Sequence, residues 1–211
     1  MIHKKIFFIL VLSIALLSPF NVKGMEPIQG GYVELPGYQF NYDGKTVEII
    51  EFMSFYCGHC YSLERYIPMI KGNFPGRIRW RTIPVYWGSG SSKPGEAYLL
   101  AEGRDKGEEM KGAIFHARFV EKRDIGNIEV LEKLASSIGL DFGFSRSLRT
   151  GEKAEVAREA LKMVDAYSIG STPTLVIAGN IKTNTEMAGS DDMSTFARNV
   201  ISIVKSILKR Q

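Results

Sequence analysis

Residues 46–53, Thr46-Val47-Glu48-Ile49-Ile50-Glu51-Phe52-Met53, form a short apolar and β-branched run broken only by two carboxylates. That composition predicts a buried central strand. Leu63, Tyr66, Ile67 and Ile70 then recur at helical spacing until Gly72-Asn73-Phe74-Pro75-Gly76 ends the pattern, and Pro68 inside it predicts a kink. Residues 77–85 set Ile78, Trp80 and Thr82 against Arg77, Arg79 and Arg81, an alternation that predicts a second strand with the arginines on its solvated side. Strand, helix and strand in this order predict a βαβ unit with its chemistry at the carboxyl end of the first strand.

Strand signals vanish from residue 88 to about 167, where helical patterns are divided by Gly103, Gly107, Gly126-Asn127 and Gly139-Leu140-Asp141. Ile128, Leu131, Ala135 and Ile138 form one apolar face, and Ala157, Ala160, Leu161 and Val164 another, so this region reads as a helical insertion. Strand character returns at Thr174-Leu175-Val176-Ile177. A Gly179-Asn180 turn signal leads to a facing strand, Ile181-Lys182-Thr183. Phe196, Val200, Ile203, Val204 and Ile207 mark a terminal amphipathic helix. The overall class is α/β.

The N-terminus follows a different rule. Lys4 and Lys5 precede an apolar run over residues 6–17, followed by Ser18-Pro19 and small or polar residues to Gly24. This is the order of a cleaved secretory signal over residues 1–24, with Val22 and Gly24 at the −3 and −1 positions of a cut before Met25. The run is shorter than the ~20 residues a helix needs to span a bilayer. Charge then loses its interest: 27 Lys and Arg against 23 Asp and Glu give +4, and without Lys4, Lys5 and Lys23 the balance is 24 against 23. A near-neutral chain offers no electrostatic case for nucleic acid.

An exported protein lives where disulfides persist, yet this chain has two cysteines, Cys57 and Cys60, separated by two residues. As a staple the pair is poor. In the chain-entropy picture a four-residue ring is worth roughly 2 kcal/mol against about 3 for a fifteen-residue loop. As a switch it is well placed. Cys57 falls where the strand ends and the helix begins, so its sulfur can meet unpaired N–H groups and the positive end of a helix dipole, which lowers its pKa by about one unit. A larger depression calls on His59 as a ring donor or positive neighbour. Stabilising the thiolate of the reduced form makes the disulfide a stronger oxidant. Glu51, in an otherwise apolar strand, is either a solvated edge position or a proton acceptor and donor for Cys60. Thr172-Pro173, just ahead of the third strand, is by local statistics a trans peptide.

Glu51-Phe52-Met53-Ser54-Phe55-Tyr56-Cys57-Gly58-His59-Cys60-Tyr61, followed far downstream by Thr172-Pro173, a hairpin and a terminal helix, resembles the DsbA family of bacterial disulfide oxidoreductases. The resemblance implies a thioredoxin fold with an inserted helical subdomain. Residues 25–211 would form one domain, its thioredoxin part at about 25–87 and 168–211 and the insertion at about 88–167. It implies Cys57 as nucleophile, Cys60 as resolving cysteine, His59 as stabiliser of the thiolate and Glu51 as a buried carboxylate assisting proton transfer. Thr172 and a cis Pro173 would wall the substrate groove. It also implies no cofactor, a periplasmic monomer acting on exported polypeptides, and reoxidation by a DsbB-type membrane quinone reductase.

Rival readings of the motif are weaker. A zinc site lacks ligands, since His59 and His116 are the only histidines after Met25 and there is no second cysteine pair. Covalent haem attachment needs histidine directly after the second cysteine, where Tyr61 stands. His116 reads as a packing or surface residue. Phe52, Phe55, Tyr56, Trp80, Tyr86 and Trp87 read mostly as core, with a few near the cysteines lining an apolar groove. Two other functions stay open beside disulfide donation: an isomerase or reductase on the same fold, since Gly58-His59 also resembles protein disulfide isomerases, and a non-catalytic chaperone with a structural disulfide. Bacterial isomerases usually carry a separate dimerising domain, and too few residues precede Thr46 for one.

Overall fold

The computed structural model describes residues 26–88 and 90–210, so the expected signal and its cut before Met25 lie outside the described residues. Five strands make one mixed sheet: β1 (Val33–Glu34), β2 (Val47–Met53), β3 (Ile78–Pro84), β4 (Thr174–Ile177) and β5 (Ile181–Asn184). Their spatial order is β1-β5-β4-β2-β3. Strand β2 runs parallel to β3 and antiparallel to β4, with Glu51 opposite Thr82 on one side and Leu175 on the other. A strand paired on both edges and covered on both faces explains the nearly continuous apolar run at 46–53.

Helices α1 (Gly58–Leu63) and α2 (Ile67–Gly72) follow β2. The sequence pattern predicts a single kinked helix there, but the chain forms two helices, and Pro68 sits in the first turn of the second. Proline has no N–H to donate, so the first turn is where a helix tolerates it without loss. Between β3 and β4 run α3 (Lys93–Glu102), α4 (Gly107–Phe119), α5 (Ile128–Ser137), α6 (Phe142–Thr150) and α7 (Ala154–Ala166), the helical region that the loss of strand pattern predicts. The last element is α8 (Met193–Leu208), begun by Asp192, whose carboxylate accepts from the Thr195 amide.

The period-two alternation of β2 decides the packing. Val47 and Ile49 join Leu63, Ile67, Ile70 and the apolar stripe of α8 on one face. Ile50 and Phe52 meet Ala160 and Val164 of α7 on the other. Glu51 shares the parity of Ile49 and therefore faces α1. A third cluster joins Met53, Phe55 and Cys60 to α3, α4, α5 and α6 through Leu100, Phe115, Leu131 and Phe144. The helical region thus packs directly against the cysteine helix.

Strand β1 lacks a recognisable pattern because it is two residues long, and it is seen only through its pairing with β5. The β4–β5 turn needs positive φ at Ala178 and Gly179. A Cβ on Gly179 would approach the Gln39 carbonyl to 2.7 Å, so glycine is required there by contact as well as by conformation.

Candidate functional site

Cys57 is the N-cap of α1, in extended conformation, immediately beyond the carboxyl end of β2. Its sulfur accepts the Cys60 main-chain N–H at 3.3 Å, and as a thiol it donates to the Thr172 carbonyl at 3.2 Å. The Cys57 pKa is lowered from 9.0 to about 6. The Cys60 side chain, hydrogen-bonded to the Cys57 sulfur, contributes most. Desolvation opposes it, and the Thr172 hydroxyl and the N–H groups of Cys60 and His59 reinforce it. Cys60 is fully buried, and burial together with the facing Cys57 pushes its thiol well above the usual value. Two chemically identical groups are thereby driven apart, one towards thiolate and one towards thiol.

His59 enters this arrangement differently from the ring donation that its residue type suggests. Its side chain is exposed, and it acts on Cys57 through its main-chain N–H. A residue in the first turn of a helix points its amide along the axis and its side chain outward, so the main chain reaches the sulfur more directly.

The solvated-edge alternative for Glu51 is overturned: β2 is an interior strand and Glu51 is 0% exposed. Its Oε2 accepts from Trp80 Nε1 at 2.9 Å and from Thr82 Oγ1 at 3.1 Å, whereas Oε1 is buried without a protein partner. Its charge raises the Cys60 pKa, which places it within electrostatic reach of that thiol. Glu48, by contrast, is only half-buried, at the start of the strand on the α7 side of the sheet, and pairs with Arg79 at 3.3 Å. Arg79 and Arg81 are exposed, as the alternation of β3 predicts.

The Thr172-Pro173 peptide is cis, and the loop it belongs to brings Thr172 across to Cys57. An open depression of about 450 Å³ beside the sulfur is lined by Ser54, Tyr56, Trp87, Gly90, Arg118 and Thr172. Trp87 is exposed, and the Arg118 guanidinium lies 5.6 Å from the centre of the Tyr56 ring. Phe52 and Phe55 are core, so the aromatic residues divide between packing and groove. His116 is an exposed residue 3.3 Å from Glu121.

Several residues at the site carry no sequence signal that points to it. Trp80 and Thr82 read only as the inner face of a strand, yet they hold Glu51. Lys111, 1% exposed, lies 3.2 Å from Glu64 and 3.1 Å from Glu108. Tyr61 stacks on Phe119 of α4 with ring centroids 5.0 Å apart and packs against Phe115, tying α1 to the helical region.

The DSBA-like thioredoxin domain family matches residues 48–200, a span holding both cysteines, Glu51 and Thr172-Pro173. A thiol:disulfide interchange protein DsbA of Azotobacter vinelandii is 25% identical over 177 residues, 83% of this chain and 81% of that protein. The crystal structure of Pseudomonas aeruginosa DsbA superposes with a TM-score of 0.68 at 21% identity, covering 85% of this chain and 95% of the other. That of the Xylella fastidiosa oxidoreductase DsbA also gives 0.68, at 19% identity over 88% and 97%. The architecture is accordingly the thioredoxin-like fold with helices between its two halves. With a domain match over most of its length, and a cysteine pair at the strand-to-helix junction of that fold, the chain belongs to the DSBA-like thioredoxin family of thiol-disulfide oxidoreductases.

Proposed function

We propose that this protein is an exported thiol-disulfide oxidoreductase that donates a Cys57–Cys60 disulfide to polypeptides folding outside the cytoplasm. The observation that carries the reading is the opposed ionisation of the two cysteines: about 6 for Cys57 beside a Cys60 held well above 9.0. A pair tuned in this way favours the reduced enzyme, so its disulfide is an oxidant.

A substrate thiolate attacks Cys57 Sγ, forming the mixed disulfide and breaking the bond to Cys60. The Cys60 sulfur leaves as a thiolate and takes a proton, which the buried Glu51 carboxyl supplies. A second substrate thiolate then attacks the substrate sulfur of the mixed disulfide and expels Cys57. Cys57 is a good leaving group because at pH 7 a thiol of pKa about 6 is roughly nine-tenths ionised.

The depression bounded by Trp87, Tyr56 and Thr172 suits an extended peptide, whose main chain would pair with that of Thr172 beside Pro173. His59 supports the thiolate through its amide. Regeneration requires an electron acceptor, for which the family resemblance implies a DsbB-type membrane quinone reductase, and the N-terminal pattern of residues 1–24 supports work in the periplasm. The test is equilibration of the purified protein with glutathione buffers. An oxidising potential is expected, and a strongly reducing one overturns the proposal in favour of a reductase.

A further inference from the structure

Among the described residues that line the depression beside Cys57, Arg118 alone carries a permanent charge. It is the penultimate residue of α4, in a turn fixed by its other side chains: Phe115 and Ala117 are buried, and Phe119 stacks on Tyr61. Arg118 is left exposed, with its guanidinium 5.6 Å from the centre of the Tyr56 ring. That ring is itself held. Its hydroxyl accepts the Ser91 N–H at 3.2 Å, and Gly90 packs so close that a Cβ there would stand 3.4 Å from two ring carbons.

The last turn of a helix favours a cation, which by itself would account for an arginine facing open water. Arg118 instead lines the depression that holds the reactive sulfur, and its donors are open: among the described residues no carboxylate pairs with it. The acids that follow α4 are engaged elsewhere. Glu121 lies 3.3 Å from His116 and 3.2 Å from Arg123, and the Asp124 carboxylate accepts the Gly126 N–H at 2.9 Å. A guanidinium has five N–H donors, no acceptor, and a planar fork that fits a carboxylate through two parallel hydrogen bonds. Its place over an aromatic ring limits the freedom it would lose on pairing.

We propose that Arg118 determines specificity: among polypeptides oxidised at Cys57, it selects segments with an aspartate or glutamate side chain close to the reacting cysteine. An extended peptide advances about 3.3 Å per residue, so a depression shared by the sulfur and the guanidinium reads only the nearest few positions. The carboxylate takes no part in the exchange. It anchors the segment while the substrate thiolate attacks Cys57 Sγ. The same fork offers nothing to a lysine or arginine side chain and repels its charge. The inference rests on the disulfide-exchange reading above and supplies the substrate class which that reading leaves open.

The test uses the purified oxidised protein and synthetic peptides capped at both ends, each holding two reduced cysteines. The peptides differ only in whether glutamate, glutamine or lysine stands beside each cysteine. The second-order rate of peptide oxidation is read for wild type, Arg118→Gln and Arg118→Glu. A carboxylate also alters the thiol beside it, so the glutamate-to-glutamine rate ratio of one protein is compared with that of another, and this effect cancels. The ratio is expected to be about fivefold higher in wild type than in Arg118→Gln, the upper end for an exposed ion pair. In Arg118→Glu it should fall further, and the lysine-to-glutamine ratio should exceed that of wild type. Moving the glutamate about eight residues from either cysteine should abolish the difference between the proteins. Equal ratios in wild type and Arg118→Gln overturn the proposal and leave Arg118 a helix-terminal charge. An undiminished difference with the distant glutamate overturns it in favour of long-range attraction. Wild-type protein that leaves every peptide reduced refutes the functional reading instead.

Discussion

The main-chain N–H of Cys60 donates to the sulfur of Cys57 at 3.3 Å, while the side chain of Cys60 is itself fully buried. One residue therefore stabilises its neighbour's negative charge and is denied its own. Alkylation of the reduced protein should consequently follow a single midpoint near pH 6, assigned to Cys57, with Cys60 unreactive until well above pH 9. Mass spectrometry of protein labelled at pH 7 checks it: one modified cysteine, at position 57, is expected.

The same shift makes the stability of the reduced form depend on pH. The Cys57 pKa is depressed from 9.0 to about 6, so the folded state binds its proton less tightly than the unfolded chain. The stabilisation is fully present above about pH 9, declines as pH falls through the interval, and is lost below 6. Glu64, raised to about 7, works in the opposite sense below neutrality, so the measurement is the difference in urea stability between reduced wild type and Cys57→Ser at pH 5.5, 7 and 8.5, which should grow with pH.

Thr172 touches Cys57 through both its carbonyl and its hydroxyl. Thr172→Val keeps the shape and removes the hydroxyl donor. The alkylation midpoint should rise by about one to two units, in line with the worth of one hydrogen bond to a charged group. The glutathione equilibrium should move towards a less oxidising enzyme in the same variant.

Glu51→Gln retains an acceptor for Trp80 and Thr82 and abolishes proton transfer. Closure of the disulfide by Cys60 should slow about a hundredfold, the lower part of the range for positioned general acid–base groups. The alkylation midpoint of Cys57 should stay within a few tenths of a unit. Comparing the two rates in one stopped-flow series separates loss of proton transfer from general damage to the site.

Phe115 joins the helical region to the cysteine helix, with its ring 5.1 Å from that of Phe55 and 5.9 Å from that of Tyr61. It is 1% exposed. Phe115→Ala should cost about 3–5 kcal/mol by removing buried area and leaving a cavity. Denaturant unfolding checks the loss. A raised Cys57 midpoint in the same variant would show that α1 has loosened.

Much of the candidate site is legible in the sequence, because it is built from local signals. The junction of an apolar strand with a helix, the two cysteines and Thr172-Pro173 are each set by residues adjacent in the chain, and so is the amphipathic stripe from Phe196 to Ile207. Local periodicity also locates β2, β3, β4, β5 and the helical region, since each pattern records which side an element buries. Pro68 is legible as an interruption, although whether it kinks or starts a helix depends on where the preceding turns end.

Tertiary structure alone decided the electrostatics. Glu51, Glu64 and Lys111 come from three different elements, and no periodicity links a strand carboxylate to a lysine sixty positions later. A lysine in a helix reads as solvent-facing by default, and Lys111 is buried only because α4 packs against α1 through Phe115, Phe119 and Tyr61. Likewise His59 carries the side chain that suggests a donor, but the helix turn aims its amide at the sulfur and its ring at water. Sequence names the reactive groups because chemistry resides in residue type. Their proton affinities are set by desolvation and by partners brought together through folding, and those the tertiary structure had to supply.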